Sequence, residues 1–278
     1  MKSTYLLSAL VLGLSAVQAA TYTGGNINVP DGESAAYDNT DLIFTGSQVY
    51  VGEDASLSTN YIMLQKDGQS ITNHGSFYAT SIAIGDDNSN SSMTNYGVLI
   101  DADASPYDGE YGLLHITGIN GQVTNYGSIQ GISTITHGIL YAMNDSVYGG
   151  IDVYGSGTLN VNGNITINGD LYLNDEDSVV VFSEDSCVAL NGGTLSLSGN
   201  IVLTVDYEVN DSMTITKDTF FVNYDNQWSD FSDETVITIK GLNSETTRTV
   251  AQLAAVPEPT TATLSLLALV GLVYRRRR

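Results

Sequence analysis

Basic side chains are nearly missing from this chain of 278 residues: nine Lys and Arg stand against thirty-one Asp and Glu, a formal net charge of −22. Five of the nine, Lys2 and Arg275 to Arg278, lie at the extremes. The body keeps Lys66, Lys217, Lys240 and Arg248 against thirty acids between Asp31 and Glu245. A surface of that sign repels phosphate backbones, which excludes nucleic acid as a partner. One cysteine, Cys187, excludes an internal disulfide. Its neighbours Val188 and Leu190 predict a small buried hydrophobe. His74, His115 and His137 are far apart, so with a single Cys they form no zinc set. Neither a nucleophile elbow nor a phosphate-cradling glycine loop with Lys occurs. Good helix formers are sparse inside the apolar segments, and 42% hydrophobic residues argue against disorder.

Gly, Asn, Ser and Thr are abundant instead, and they fall in a pattern. One phrase is written three times: Ile71-Thr72-Asn73-His74-Gly75-Ser76-Phe77, Met93-Thr94-Asn95-Tyr96-Gly97-Val98-Leu99 and Val123-Thr124-Asn125-Tyr126-Gly127-Ser128-Ile129. Successive Asn residues lie 22 and 30 positions apart, the mark of a solenoid that winds once per repeat. The phrase reads as a strand end, a corner and a strand start. Gly supplies positive φ at the corner, and Asn bonds its own backbone two residues on. Stacked copies would set Asn over Asn and ring over ring in a parallel ladder. Ile82-Ala83-Ile84 and Leu114-His115-Ile116 supply another side of the coil. The acidic stretch from Asp101 to Glu110 is a loop expelled from one corner.

From Thr158 apolar pairs recur every six residues: Leu159 and Val161, Ile165 and Ile167, Leu171 and Leu173. Asn162-Gly163 and Asn168-Gly169 separate them, a hairpin signal in other settings. Three such sides close one triangular turn, and strands this short favour the coil over stacked hairpins. Leu195, Leu197, Ile201, Leu203 and Val205 continue the pairing. The expected fold is all-β: a parallel β-helix over residues 20–205, entered through strands between Thr21 and Ser58, and closed by a C-terminal β cap over residues 206–255. Met213 to Ile215, Phe220 to Val222 and Val236 to Ile239 are its strands, with Trp228 packed among them.

The two ends carry addresses. Lys2, the apolar run Tyr5 to Val17 and the small residues of Val17-Gln18-Ala19 make residues 1–19 a signal peptide cleaved after Ala19. At the other end Val256-Pro257-Glu258-Pro259 precedes the mostly apolar Thr260 to Tyr274 and then Arg275, Arg276, Arg277 and Arg278. Residues 256–278 resemble the PEP-CTERM sorting signal of Gram-negative bacteria. That resemblance implies an exosortase-type membrane protease as partner, cleavage near Pro257-Glu258-Pro259, and delivery to the cell surface or extracellular matrix beside exopolysaccharide. Independently, Ala262 to Tyr274 as a helix reaches about 20 Å, short of a ~30 Å hydrocarbon core, and four arginines hold that end in the cytoplasm. Such a hydrophobic helix is a transient anchor; a permanent tail anchor is the alternative.

The body resembles the repeat regions of autotransporter and haemagglutinin-like β-helices, in which Thr-Asn-x-Gly phrases are frequent. That implies a non-catalytic adhesive or structural rod whose acidic, Asn- and Thr-rich faces meet glycans or surface proteins. The rival is a carbohydrate-active enzyme, hydrolase or lyase, on the same scaffold. Fragments of the pectin-hydrolase pattern occur at Asn39-Thr40-Asp41, Asp86-Asp87, His137-Gly138 and Lys240, but they are scattered across the body rather than set to converge. Asp86-Asp87-Asn88, Asp101-x-Asp103-x-Ser105 and Asp175-Glu176-Asp177 are hard-oxygen clusters of the kind calcium accepts, or else solvated loops. No catalytic, cofactor-binding or metal-ligating residue is nominated.

Overall fold

The computed structural model describes residues 20–249 except 24, 45, 87–88, 103–111, 174–177, 192–194, 198–200, 206–207, 210–218 and 223–235. Both terminal signals, Trp228, the calcium candidates apart from Asp86 and Asp101, and the strand expected at Met213 to Ile215 therefore lie outside the described residues. Within them the chain is a parallel β-solenoid with no α-helix. Two sheets, of fourteen and eleven strands, run the length of the axis. Every pairing is parallel except that of Val236–Lys240 with Glu245–Thr249.

The cross-section is three-sided because the larger sheet is creased. Strand Ser56–Leu64 pairs through Ser56 to Ser58 with Ser76–Ala79, and through Tyr61 to Leu64 with Ser81–Ile84. Thr80 lies at the crease, and its amide donates to the Asn60 carbonyl. Ser128–Ile135 bends in the same way. Thr158–Asn162, Asn164–Ile167 and Leu171–Leu173 form the three sides of one turn. Their six paired apolar residues all face inward and are buried, so the six-residue rhythm is the side length of the coil.

Stacking in register turns the repeat into columns. Val49, Ile71, Met93, Val123, Leu140, Leu159, Val180, Leu203 and Ile239 are successive register partners along the smaller sheet. All are buried. Fully burying one such side chain is worth about 1.5–3 kcal/mol. The parallel ladder also runs past Val205: Phe221–Val222 pairs with Cys187–Leu190, and Val236–Lys240 with Ile201–Val205. Among the described residues of the span expected to be a β cap, only Glu245–Thr249 breaks the parallel pattern.

The repeated phrase is a column of another kind. Asn73, Asn95 and Asn125 are 0% exposed and follow Val51 in a position that continues as Ala142, Val161 and Phe182. Asn73 Nδ2 donates to Asn95 Oδ1 at 2.7 Å, and Asn95 Nδ2 to Asn125 Oδ1 at 2.7 Å. Each amide also donates to the carbonyl two residues on, at 3.2–3.3 Å. Above Asn125 the column ends at buried Tyr148, whose hydroxyl is bonded by the Asn125 and Ser146 side chains and whose pKa burial pushes up to about 12. At the lower end Asn73 Oδ1 is buried without a donor. The phrase's Asn residues are therefore core, not the glycan-facing surface the repeat suggested.

Gly75, Gly97 and Gly127 are required for close approach rather than for positive φ, which none of them adopts. A Cβ on Gly97 would lie 2.0 Å from the Gly75 carbonyl oxygen, and one on Gly127 2.0 Å from that of Gly97. Where the phrase is absent, the same corner is turned by Gly32 and Gly163 at φ 72° and 96°, or by Asp54, Asp145 and Asp185 at φ 54°, 65° and 59°. A short side chain that bonds locally tolerates that region.

Asn95→Ala removes two buried amide–amide bonds and leaves a cavity, so it should cost about 2–4 kcal/mol. Gly97→Ala should cost at least about 1–3 kcal/mol through backbone overpacking. Denaturant melts of the two variants check both, and a Gly97→Ala protein as stable as the parent would contradict the stacked corner.

Candidate functional site

The exposed rings of the phrase invite a functional reading first. His74 stacks on Tyr96 with centroids 4.6 Å apart and planes 9° from parallel, and Tyr96 on Tyr126 at 4.9 Å and 7°. Tyr96 is 49% and Tyr126 45% exposed, yet Tyr96 has both faces covered by its neighbours. A ring stacked on each side offers a ligand only its edge and hydroxyl. The ring column braces the corner, and a binding platform must be sought elsewhere.

It lies on the outer wall of the creased sheet. Met63, Ala83, His115, Thr134, Asp152 and Tyr172 are consecutive register partners on six rungs. Alternation explains their direction: each stands between inward, buried residues, as in Ile62-Met63-Leu64, Ser133-Thr134-Ile135 or Ile151-Asp152-Val153. The column divides in two. Its first half floors a recess of about 430 Å³ lined by Tyr61, Met63, Ser81, Ala83, His115 and Thr117. Ala83 and His115 are only 4% and 6% exposed although they point outward. The His115 ring is fixed by a 2.6 Å contact between Nε2 and the Gly112 carbonyl, and Thr117 Oγ1 donates to the Gly85 carbonyl at 2.7 Å.

The second half is acidic. Burial pushes the Asp152 carboxyl up to about 6, and the charge of Asp170 adds to the shift. Tyr172 donates its hydroxyl to Asp170 Oδ2 at 3.0 Å. Its own pKa is raised, by burial first and then by that bond and by the two carboxylates. Two acids held this close to each other and to a phenol form the most perturbed surface cluster among the described residues.

Comparison of the chain with protein-family models, with curated proteins and with solved structures found no match. The geometry therefore carries the functional argument.

The fragments of the hydrolase pattern do not converge. Asp86 is exposed just after Ser81–Ile84, while His137 lies two rungs along the same corner with Nδ1 2.9 Å from Ser156 Oγ. Asp41 belongs to the larger sheet near its first rungs and Lys240 to the smaller sheet near its last. Asp86 and Asp101 are the described members of two calcium candidates, and the described residues contain no group of three or more potential metal ligands. Cys187 is not the buried hydrophobe expected. It opens its strand facing outward, half-buried, with Sγ 3.2 Å from Asn164 Oδ1, and the inward position falls to Val188. The outer column escaped the sequence reading because its members are single residues on six rungs. The alternation around Asp152 and Tyr172 was the signal available.

The sign of the Asp152 effect follows from its shift. A folded-state pKa of about 6 against an ordinary 3.8 means that the native state favours the neutral acid. The associated stability is fully present below the ordinary value and is lost as pH rises through about 6. Asp152→Asn should then stabilise the protein at pH 7 by about 1 kcal/mol, allowing for solvent screening of this half-exposed group. It should change little at pH 4. Asp170→Asn should move the Asp152 titration only part of the way down, because burial is the larger cause. Carboxyl NMR titrations and melts at both pH values check these outcomes.

Proposed function

We propose that this chain is an exported, non-catalytic cell-surface or matrix rod that associates with polysaccharide. The observation that carries the reading is the straight outer column from Met63 to Tyr172. A rigid wall of regular rungs, about 4.8 Å apart, presents one line of side chains along the axis, as an extended polymer requires. Tyr61, His115, Thr134, Asp152 and Tyr172 give it rings, hydroxyls and acceptors suited to sugar rings and their hydroxyl groups. The end signals supply the destination: export after Ala19, then sorting by an exosortase-type protease at Val256-Pro257-Glu258-Pro259 with Arg275 to Arg278 retained inside.

A carbohydrate-active enzyme is the second reading, favoured by the coupled pair Asp152 and Asp170. A carboxyl that burial pushes up to about 6, with a second acid beside it, is the pattern of a general acid and its companion. The pair stands outside the recess: Thr134 lies between, so Asp152 is two strand spacings, about 10 Å, from His115, too far for the two to exchange a proton directly.

Purified protein should retain polysaccharide in sedimentation assays without releasing reducing ends. Product formation abolished by Asp152→Asn would replace the binder with the enzyme. In cells that carry the sorting protease, mass spectrometry should find a mature N-terminus at Ala20 and loss of the segment beyond Pro257-Glu258-Pro259. An intact chain kept in the cytoplasm would end the export reading.

A further inference from the structure

The recess differs from the rest of the outer wall, and the difference selects its occupant. Outward positions on a β-solenoid are ordinarily solvated, yet Ala83 and His115 are almost fully covered. The lining combines the Tyr61 ring, the Met63 thioether and the Ala83 methyl with the hydroxyls of Ser81 and Thr117. Among the described residues the lining contains no carboxylate and no ammonium or guanidinium group. Apolar faces with a few placed hydroxyls are what a sugar ring presents in mirror image, since its C–H faces are apolar and its rim is hydroxylated.

Charge then narrows the class. The body carries four basic residues against thirty acids, and on the same wall Asp152 stands two rungs beyond the recess and Asp170, just before the strand Leu171–Leu173, three. A uronic-acid or sulfated chain laid along that column would meet these acids with no Lys or Arg among the column's described residues to pair it, a like-charge arrangement that opposes binding. A neutral chain pays no such penalty, and its hydroxyls can donate to the same carboxylates. The recess crosses the strands Ser56–Leu64, Ser81–Ile84 and Leu114–Ile116, two inter-strand spacings or about 10 Å, enough for a disaccharide-length stretch.

We infer that the recess bounded by Tyr61, Met63, Ala83, His115 and Thr117 is a binding subsite for an uncharged polysaccharide segment, whose continuation runs over Thr134 toward Asp152 and Tyr172. This rests on the polysaccharide-associated reading above and names its ligand class.

The test titrates the full-length protein in mild detergent with neutral gluco- and manno-hexasaccharides and with oligogalacturonate of equal length, by calorimetry. Tyr61→Ala removes the half-buried ring, and Ala83→Leu fills the floor without touching the inward core; melting temperatures verify that both variants fold. Neutral oligosaccharide should bind, oligogalacturonate should bind at least tenfold more weakly, and each variant should weaken neutral binding by at least tenfold. Oligogalacturonate binding as tightly as the neutral chains would overturn the charge argument. Neutral binding indifferent to both variants would remove the subsite while leaving the polysaccharide-associated reading in place. Retention of no saccharide or polysaccharide at all would overturn both.

Discussion

Everything in this molecule depends on one coil sitting directly on the next. The contact is closest at the repeated corner, where the backbone of one rung approaches the next so nearly that a single methyl would strike a carbonyl oxygen 2.0 Å away. Parallel strands at this distance exchange hydrogen bonds along the axis, so each rung satisfies its backbone polar groups only through its neighbours. Register is thereby shared by all rungs. A displacement at one corner would have to propagate, because a one-residue slip sends every inward side chain outward.

The buried Asn column shows how that register is enforced where hydrophobicity cannot do so. Valine over isoleucine is nearly as content one rung or one neighbour away, since apolar contact has no direction. An amide has direction. Asn73 and Asn95 each donate to the next amide oxygen at 2.7 Å, and Asn125, at the top of the line, bonds the Tyr148 hydroxyl that Ser146 also contacts. Setting an apolar residue in the place of Asn95 would take the amide partner from an Asn73 N–H and from the Asn125 oxygen in the interior, at about 1–3 kcal/mol for each group. The stacked rings of His74, Tyr96 and Tyr126 mark the same three rungs from outside, so the corner is pinned on both faces of the backbone.

The coil was legible in the sequence wherever one rung resembles the next. Three copies of the Asn, ring and Gly phrase announced a column, and the six-residue pairs from Leu159 to Leu173 announced three sides. Roles within the phrase were less legible. Glycine was expected to provide positive φ in the phrase, but that task belongs to other rungs, to Gly32 and Gly163 and to Asp54, Asp145 and Asp185, while Gly75, Gly97 and Gly127 serve contact. Asn was placed on a face and belongs to the core, because a short polar side chain reads as surface unless its partner one rung away is known. Cys187 was misassigned by one position of strand alternation. The outer column had no repeated word to betray it: methionine, alanine, histidine, threonine, aspartate and tyrosine share only a place in the coil.

That last point bears on where function can reside in such a fold. The rungs are not equal in length, for Asn73 to Asn95 spans 22 residues and Asn95 to Asn125 spans 30, yet the three amides remain in line. The surplus in sequence falls between Asp101, where one strand ends, and Leu114, where the next begins. Inward columns therefore tolerate almost no variation, whereas a corner accepts an insertion at little entropic cost. Outward positions are free in a third way, constrained neither by packing nor by connection. A line of six unlike residues on that wall, apolar and covered at one end and acidic at the other, owes nothing to the requirements of stacking, and for that reason it is the part of the surface whose chemistry is informative.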